Sequence, residues 1–574
     1  VRRLLENGAN SSFINKYLNN NIPESDLAQN PAEAIKDKID HLNISNLELP
    51  RNLYLPRINS DGFDLNEQDC IQAFMKKVNQ FSEISFHAYS KSMHETLKNS
   101  PVEIISKCNK KTIGIIETCD LESINEKIIY PSEEWANCST ESRNEILVSV
   151  ADMLEDQQAK FVYLLMHEAG KTLEDSLDEI REAVDFLRYY AQQSLNLKPI
   201  SQKGPTGEDN ILEYGPKGIV LCISPWNFPL AITIGQIAAA LAGGNTIISK
   251  PSEHTPIIAF EAINLFFEKG LPEDSLHLFL GDGDLGQAII SNKTIDLVAF
   301  TGSLQTAKMI HKSLSSKPGK IIPLIAETGG LNTMVVDSSA LLERACDDII
   351  RSAFNSAGQR CSALRLLLVD QEIYPELLSM LKGAMNDLTI GIPSDPGVDV
   401  GPIITANALK KLQNYISRMN ADGHTIFQVS TEDIPIDGSW HAPTLIELEL
   451  SSIPDEEQFG PILHIASFSE DTLNECIEAI NAKGFALTFG IHTRIDAKAL
   501  DAAKKTSSGN IYINRDIVGA VVETQPFGGK NLSGSGFKAG GPNYLLQFMD
   551  ERVITINTVA IGGNIDLINL NDEG

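Results

Sequence analysis

The chain has 574 residues, 42% of them hydrophobic and 21% charged, and its 47 basic and 76 acidic residues give a formal net charge of −29. This length exceeds one hydrophobic core, so we expect two to four domains, and the composition excludes an intrinsically disordered protein. The negative charge argues against a nucleic-acid-binding surface, which needs clustered positive charge. Since no stretch approaches the roughly 18 apolar residues that a membrane span needs, we expect a soluble protein.

Eight cysteines are scattered along the chain without a CxxC pair or a Cys/His cluster. In a chain this long, that spacing predicts neither a disulfide framework nor a metal site, and it favours a cytoplasmic protein. The chain starts at Val1, without an initiator Met or a signal sequence, which we interpret as a fragment of a longer polypeptide.

The N-terminal third of the chain is predicted to be a tail followed by helices. Residues 1–50 are polar and Asn-rich and are typical of a tail or connector. From about 80 to 195 the pattern is mostly that of amphipathic helices, among them 141–165 and 173–190. The stretch 199–217 contains Gly and Pro and separates this helical region from the next one.

Apolar strands alternate with helices between residues 218 and 300. The predicted strands are 218–223, 246–249, 276–279 and 295–300, and the predicted helices are 234–241, 257–268 and 285–290. This alternation indicates a doubly wound α/β sheet with nucleotide-binding potential. A second α/β region runs from about 326 to 515, and the alternating segment 552–557 predicts a strand that pairs with another segment or subunit.

Three loops of the first α/β region are candidates for a nucleotide site. Gly281–Gly286 matches G-x-G-x-x-G formally, but its two acidic residues disfavour a pyrophosphate, so we reject it. At Gly302 and Ser303 a strand ends and a helix begins, where free N–H groups favour a phosphate, although a simple helix N-cap fits as well. Lys250 and Glu253 follow another parallel strand, where Lys can donate to ribose hydroxyls and Glu can accept from them.

Cys361 is the candidate nucleophile among the cysteines. It follows the small residues Ser356-Ala357-Gly358, and Arg360 beside it is a candidate to stabilise a thiolate, the reactive form of cysteine. Taken alone, an inert buried cysteine is the more common case. Three further segments change that interpretation.

Each of these three segments places a polar side chain on a turn. Glu327 precedes the pair Gly329-Gly330, Asn227 follows a strand and can donate to an oxyanion, and Glu457 lies on a loop. The chain order is Asn, Lys, Ser, Glu, Cys, Glu.

This order of motifs resembles the aldehyde dehydrogenase superfamily over roughly residues 80–550. The resemblance implies that Cys361 is the nucleophile, Glu327 the general base, and Asn227, with the Cys361 backbone N–H, the oxyanion donor. It implies NAD as the cofactor, bound by Ser224, Trp226, Lys250, Ser252, Glu253, Gly302, Ser303, Glu457 and Phe459. The charge of Glu253 favours NAD over NADP. One departure is Ala307, where many relatives have Gly.

Both ends of the chain resemble the bifunctional proline utilisation A enzymes: residues 1–13 the last segment of their proline dehydrogenase barrel, and residues 525–545 their second half. The implied activity is oxidation of L-glutamate γ-semialdehyde, from 1-pyrroline-5-carboxylate, to L-glutamate. The implied substrate-binding residues are Ser362, Gly519 and Ala520 for the carboxylate, Phe228 and Phe527 for the aliphatic stem, and Glu182 for the ammonium. FAD would belong only to the missing barrel, of which Arg2 and Arg3 are remnants.

The resemblance also implies the architecture, an α/β aldehyde dehydrogenase fold with a Rossmann-like NAD-binding domain, an α/β catalytic domain and a small β oligomerisation flap. The expected boundaries are 1–50 for a barrel remnant and connector, 51–325 for the NAD-binding domain with 199–217 in the flap, 326–515 for the catalytic domain, and 516–574 for a substrate-anchor loop, the return to the NAD-binding domain and a C-terminal flap or tail. The expected partners are a small-molecule substrate, a second copy in a homodimer, and a proline dehydrogenase domain in the full-length chain.

Three alternatives stay open. The chain could act on another semialdehyde, such as succinate semialdehyde. It could be a thiol hydrolase or esterase that uses Cys361 without a nicotinamide, although no His lies near Cys361 in the sequence. An inactive assembly module is disfavoured because every chemical position of the motif set is intact.

Overall fold

The structure, a computed structural model, describes residues 48–92, 95–97, 101–119, 124, 129–205, 207–430, 438–558 and 560. The chain divides into two compact units, Val1–Ile58 and Asn59–Gly574. In the described part of the first unit, residues 48–58, a 3-10 turn spans Pro50–Asn52. The predicted barrel remnant, with Arg2 and Arg3, and most of the connector lie outside the described residues.

The second unit is built from helices and strands in alternation. Its described α-helices are α1 (Gln68–Asn79), α2 (Glu133–Asn137), α3 (Thr140–Asp156), α4 (Gln158–Leu164), α5 (Leu173–Asn196), α6 (Ala231–Ala242), α7 (Pro256–Glu268), α8 (Gly283–Asn292), α9 (Leu304–Ser316), α10 (Leu342–Phe354), α11 (Tyr374–Asn386), α12 (Ala406–Ala421), α13 (Leu473–Ala482) and α14 (Asp496–Lys505). Its described strands are β1 (Phe86–Ser92), β2 (Glu95–Leu97), β3 (Pro101–Ile105), β4 (Thr112–Glu117), β5 (Ile200–Gln202), β6 (Glu208–Pro216), β7 (Ile219–Ile223), β8 (Thr246–Lys250), β9 (Leu276–Leu278), β10 (Leu297–Thr301), β11 (Leu324–Glu327), β12 (Thr333–Val336), β13 (Leu366–Asp370), β14 (Thr425–Gln428), β15 (Thr444–Glu447), β16 (Ile462–Phe468), β17 (Phe485–Ala486), β18 (Thr488–His492), β19 (Asn510–Ile513), β20 (Lys530–Asn531) and β21 (Met549–Asn557).

The first α/β sheet has the strand order β11-β10-β7-β8-β9-β1-β4-β3 among the described residues, with β2 paired to β1. The strands β11, β10, β7, β8 and β9 run parallel to one another, which confirms the predicted alternation of strands and helices, while β1 pairs antiparallel with β9. Every residue of β8 is buried because helices cover both faces of a parallel sheet. The carboxyl ends of these strands therefore lie at one edge, where such sheets bind ligands.

The prediction of mostly helical structure over residues 80–195 is wrong for the first part of that region. The strands β1 to β4 lie between residues 86 and 117, and β1 runs parallel to β4 with Phe86 opposite Gly114. Burial alternates along β1, the period of a half-buried strand, so pairing with the sheet outweighs local helical tendency. The helical prediction holds for α3, α4 and α5.

The second α/β sheet has the order β14-β15-β16-β13-β12-β18-β19 among the described strands. Only the edge strand β14 runs antiparallel to its neighbour within this order. Its core is separate from that of the first sheet and is formed by buried Leu, Ile, Val and Met side chains. All seven strands lie between residues 333 and 513, inside the interval 326–515 that was predicted as the second α/β region.

A third, three-stranded antiparallel sheet has the order β21-β6-β5. The predicted strand 552–557 is part of β21, which pairs along its whole length with β6, with Val553 opposite Leu212. Its partner is therefore a segment of the same chain. None of the described helices combines the length and the apolar character needed to cross a membrane.

Candidate active site

A cavity of about 1190 Å³ brings together most of the predicted site residues. Those that line it are Glu182, Trp226, Asn227, Phe228, Gly302, Ser303, Glu327, Cys361, Ser362, Glu457, Phe459, Gly519, Ala520 and Phe527. Glu327 ends β11 and Gly302 follows β10, so part of the wall is the carboxyl edge of the first sheet. Cys361 lies in the loop before β13 and Glu457 in the loop before β16, two strands of the second sheet.

Ser224, Lys250, Ser252 and Glu253 do not line this cavity. The Ser224 hydroxyl is buried and accepts a hydrogen bond from Thr233 at 2.7 Å. Lys250 ends β8, and its Nζ lies 3.7 Å from the carboxylate of Glu253. Burial lowers the pKa of Lys250. The next residue, His254, does line the cavity, so this segment borders the cavity on one side.

The turn before Cys361 has an unusual backbone. Ser356, Ala357 and Gly358 have φ angles of 54°, 53° and 64°, in the left-handed region. A Cβ atom on Gly358 would lie 2.3 Å from the carbonyl oxygen of Gly460. Only glycine fits this close approach, which reverses the chain after α10 and presents Cys361 to the cavity.

Asn332 fixes the other side of this turn, a role that sequence analysis missed. Its Nδ2 donates to the carbonyl oxygens of Cys361 at 2.6 Å and Ala363 at 2.9 Å, and its Oδ1 accepts from the Thr488 N–H at 3.1 Å. The side chain is buried, with 1% of the residue exposed. The only signal in the sequence was its position two residues after Gly330, which gives no indication of its partners.

The thiol of Cys361 is neutral in this environment. Burial raises the pKa of Cys361 to about 12, and the carboxylates of Glu457, Glu327 and Glu182 add to the effect. The prediction that Arg360 stabilises the thiolate is not met, because its guanidinium donates to Asp175 at 2.5 Å. Ionisation of Cys361 therefore requires a base or an added positive charge.

Glu327 combines a raised pKa with a fixed resting position. Its Oε2 accepts a hydrogen bond from the Gly529 N–H at 3.2 Å. Burial raises the pKa of Glu327 to about 8, while that hydrogen bond and the charge of Lys538 oppose the rise. A carboxyl group that titrates near neutrality is suited to general-base catalysis.

Asn227 lies against the Cys361 turn. Its Nδ2 donates to the carbonyl oxygen of Gln359 at 3.0 Å. Gln359 is held in turn, because its Nε2 donates to Pro402 and its Oε1 accepts from the Ile404 N–H. The amide is therefore placed on the backbone two residues before Cys361.

Arg365 links Glu457 to the Cys361 turn, a second role that sequence analysis missed. This arginine is only 1% exposed, and it donates to Glu457 at 3.0 Å, to the carbonyl oxygen of Gly460 at 2.9 Å and to that of Arg360 at 3.1 Å. Burial raises the pKa of Glu457, and Arg365 and the Gly330 N–H oppose the rise. Its chain position, four residues after Cys361, gives no indication of these contacts.

Several groups that line the cavity fit a dinucleotide. Ser303 caps α9, accepting from the Thr306 N–H at 3.2 Å, as the predicted strand-to-helix junction requires. Gln236 lines the cavity, and its buried Oε1 has no hydrogen-bond partner among the described residues. The rings of Trp226 and Phe459 meet edge to face with centroids 5.7 Å apart. A buried acceptor without a partner is expected where a ligand supplies the donor.

The substrate side of the cavity carries the remaining predicted residues. Gly519 has a φ of 79°, a turn that exposes backbone groups, and Ser362 donates its backbone N–H to the Cys361 thiol. The Phe228 ring lies under the Nζ of Lys171 at 3.9 Å. Burial raises the pKa of Glu182 to about 8.

The chain is similar to known aldehyde dehydrogenases over most of its length. The model of the aldehyde dehydrogenase family matches residues 94–554. The chain is 38% identical over 572 residues to the bifunctional protein PutA of Klebsiella aerogenes, covering 96% of this chain and 43% of that protein. It is 34% identical over 463 residues to 1-pyrroline-5-carboxylate dehydrogenase of Geobacillus kaustophilus, covering 79% and 89%.

A solved structure, the 1-pyrroline-5-carboxylate dehydrogenase from Thermus with bound NAD, matches with a TM-score of 0.81 and 26% identity, covering 88% of this chain and 100% of that one. The chain thus spans less than half the length of the bifunctional relative and most of the length of the monofunctional one.

Proposed function

The chain belongs to the aldehyde dehydrogenase family, and we propose that it oxidises L-glutamate γ-semialdehyde to L-glutamate with NAD through a thioester on Cys361. The observation that carries this proposal is the convergence of Cys361, Glu327 and Asn227 on one cavity. The similarity to a 1-pyrroline-5-carboxylate dehydrogenase over most of that protein's length supports the choice of substrate.

In the first half of the reaction, Cys361 loses its proton and its sulfur forms a bond to the aldehyde carbon, whose carbonyl electron pair moves to oxygen. Asn227 and the backbone N–H of Cys361 stabilise the resulting oxyanion. The proton of the thiol passes to water, and Glu327 stays available as the base of the second half. Because the pKa of the thiol is raised to about 12, it ionises only where a positive charge favours the thiolate.

In the second half, Glu327 takes a proton from water as the water oxygen bonds to the thioester carbon. The carbon–sulfur bond breaks, the carboxylic acid leaves, and the sulfur regains a proton. The same oxyanion donors serve both halves, since negative charge develops on the same oxygen.

Trp226, Gly302, Ser303, Glu457 and Phe459 would hold NAD within the cavity. Bound NAD supplies the hydride acceptor for the oxidation. Lys250 and Glu253, with Ser224 and Ser252 on the same side, would bind the adenosine ribose at the border of the cavity. The carboxylate of Glu253 disfavours a 2′-phosphate, so we expect a preference for NAD over NADP.

The substrate carboxylate would be bound by the Ser362 hydroxyl and by backbone N–H groups around Gly519 and Ala520. Such local donors are needed because a protein of net charge −29 repels anions at long range. Phe228 and Phe527 would enclose the aliphatic stem, and Glu182 would face the ammonium group.

The proposed domains follow the sheets. The first sheet belongs to an NAD-binding domain over 51–325, the second to a catalytic domain over 326–515, and residues 516–574 supply the anchor loop and the tail strand. The sheet of β5, β6 and β21 would be the flap of a homodimer, and the full-length chain would carry a proline dehydrogenase domain with FAD. The proposed location is the cytoplasm.

A cysteine hydrolase is the alternative from another class. The charged groups with the largest effect on the Cys361 thiol are carboxylates, which hinder its ionisation. A hydrolase would need a histidine or another cation at that position. This arrangement favours the dehydrogenase, because the positive charge of bound NAD would favour the thiolate there.

Steady-state assays test the proposal. Turnover of glutamate semialdehyde and of succinate semialdehyde is measured with NAD and with NADP, with Cys361→Ala as the control. We expect the highest kcat/KM for glutamate semialdehyde with NAD, and Cys361→Ala should lose turnover while it still binds NAD. A preference for succinate semialdehyde, or ester cleavage without NAD binding, would refute it.

A further inference from the structure

Lys538 is tied to the turn that carries the Glu327 carboxylate. Its Nζ donates to the carbonyl oxygen of Gly528 and, at 2.8 Å, to the Oδ1 of Asn510. This lysine is half-buried, and burial lowers its pKa, while the charge of Glu327 opposes that change. An ammonium that gives up part of its hydration for two oxygen acceptors is held in one place.

Asn510 completes the connection at the start of β19. Its Oδ1 also accepts from the Gly528 N–H at 3.3 Å, and its Nδ2 donates to the carbonyl oxygen of Pro526 at 2.9 Å. Both backbone groups of Gly528 are therefore bound, one by Asn510 and the other by Lys538. The turn through Gly529 has little freedom to move.

The Glu327 carboxylate rests directly on this turn. Its Oε2 accepts from the Gly529 N–H at 3.2 Å, and a Cβ atom on Gly528 would lie 2.7 Å from its Oε1. A Cβ atom on Gly534 would lie 3.1 Å from Oε2. The carboxylate therefore lies close to the backbone of two glycines, and Lys538 and Asn510 fix the backbone of one of them, Gly528.

The charged and titratable groups that act on Glu327 come from three segments. Lys538 lies beyond the turn, Cys361 lies across the cavity, and Tyr544 follows in the C-terminal segment. Lys530, which is exposed, acts on Lys538. Of these groups, Lys538 contributes the positive charge that favours the carboxylate form.

We propose that Lys538 is a positioning residue for the general base: with Asn510 it holds the Gly528–Gly529 turn as the resting place of the Glu327 carboxylate, and its positive charge favours the ionised form of that carboxylate. The proposal rests on the proposed function, because it assumes that Glu327 activates water for thioester hydrolysis. Lys538 acts through Glu327 and touches neither substrate nor cofactor in this role. Its loss should slow the second half of the reaction and leave the first half intact.

The test compares four variants of the full chain: Lys538→Met, Lys538→Arg, Asn510→Asp and Lys530→Met. The rapid first formation of NADH and the steady-state kcat are measured from pH 6 to 10, with glutamate semialdehyde and with propanal. In Lys538→Met the rapid phase should keep its amplitude, while the pH midpoint of kcat moves up by about one unit, a roughly tenfold loss at pH 7. Lys538→Arg should restore the midpoint, and Lys530→Met, which removes the same charge from a residue outside the turn, should not move it.

An unchanged midpoint in Lys538→Met would overturn the proposal, whatever its kcat. If Lys538→Met fails to fold, Asn510→Asp takes its place, because a carboxylate beside Lys538 offsets the same charge; its midpoint should also rise, and no shift would overturn the proposal. Turnover of propanal without turnover of glutamate semialdehyde in the unmodified chain would refute the proposed substrate alone, and Lys538 would then be tested with propanal. Failure of both aldehydes would refute both.

Discussion

The side-chain amide of Asn332 donates to the carbonyl oxygen of Cys361 at 2.6 Å, so the backbone of the proposed nucleophile is held by the residue that directly precedes β12. The same amide donates to Ala363, and its oxygen accepts from Thr488. Three chain segments therefore meet at one buried side chain. Both this contact and the left-handed turn through Ser356–Gly358 therefore constrain the backbone that carries the Cys361 thiol.

Asn332→Leu should reduce both stability and kcat. The change leaves two carbonyl groups and one N–H group buried without partners, at a cost of about 3 kcal/mol in the free energy of unfolding. Asn245 is the matched control, since it also donates to two carbonyl oxygens and accepts from one N–H, but lies at the amino end of β8. Denaturant unfolding should show similar losses for Asn332→Leu and Asn245→Leu. A kcat that falls equally in both would contradict the positioning role of Asn332.

Glu327→Gln should separate the two halves of the reaction. In the unmodified chain, kcat should rise as pH increases through about 8, because only the carboxylate form accepts a proton and burial raises the pKa of Glu327 to about 8. The variant should keep the rapid phase of NADH formation, lose this pH dependence, and show a steady-state rate lower by roughly 10²–10³-fold. Glu478→Gln, on an exposed face of α13, is the control. Loss of the rapid phase in Glu327→Gln would instead place Glu327 in the first half.

The Cys361 thiol should react slowly with iodoacetamide in the absence of cofactor. A pKa raised to about 12 leaves roughly one thiol in 10⁵ ionised at pH 7, and the alkylation rate should increase about tenfold per pH unit between pH 7 and 10. Peptide mass spectrometry of the Cys361 peptide measures the rate apart from exposed Cys70. A rate that levels off near pH 8 would show that a positive charge acts on the thiol.

Arg365→Met should weaken NAD binding more than aldehyde binding. The change removes the guanidinium that holds Glu457 and leaves that carboxylate buried beside Gly330, so we expect KM for NAD to rise roughly tenfold or more. Arg188→Met is the control, because this buried arginine pairs with Asp152 and Glu155 on α3, and none of these three residues lines the cavity. Equal rises in both KM values would argue for a general loss of structure.

Ser362→Ala should affect the natural substrate selectively. If the hydroxyl binds the substrate carboxylate, its loss removes a hydrogen bond to a charged group, and KM for glutamate semialdehyde should rise roughly tenfold. Propanal has no carboxylate, so its KM should not change. The comparison of the two aldehydes in one variant is its own control, and parallel changes would remove Ser362 from the substrate site.

The fold was predictable where apolar residues follow one clear repeating pattern along the chain. The apolar runs of β7, β8 and β10 between helices predict a parallel sheet, and the family matches bear out the expected fold and family. The region of β1 to β4 was not predictable in this way, because its strands are short and depend on partners distant in the chain, such as Phe86 and Gly114. Local pattern carries little information about such pairing.

The candidate site follows the same division. Motifs in the sequence predicted Cys361, Glu327 and Asn227 as catalytic residues, and the structure places all three on one cavity. Asn332 and Arg365 escaped because their roles consist of contacts made by folding, and an Asn or Arg near a strand is unremarkable in a sequence. The expectation for Arg360 failed for the same reason: its pairing with Asp175, 185 positions away, is visible only in three dimensions.

The most direct test of the central claim is mass spectrometry of the Glu327→Gln variant after mixing with glutamate semialdehyde and NAD and rapid quenching in acid. A thioester of the glutamyl group should accumulate on the Cys361 peptide, in an amount equal to the rapid phase of NADH formation. Cys361→Ala should show neither. Rapid NADH formation without an adduct on Cys361, or an adduct on another cysteine, would contradict the account.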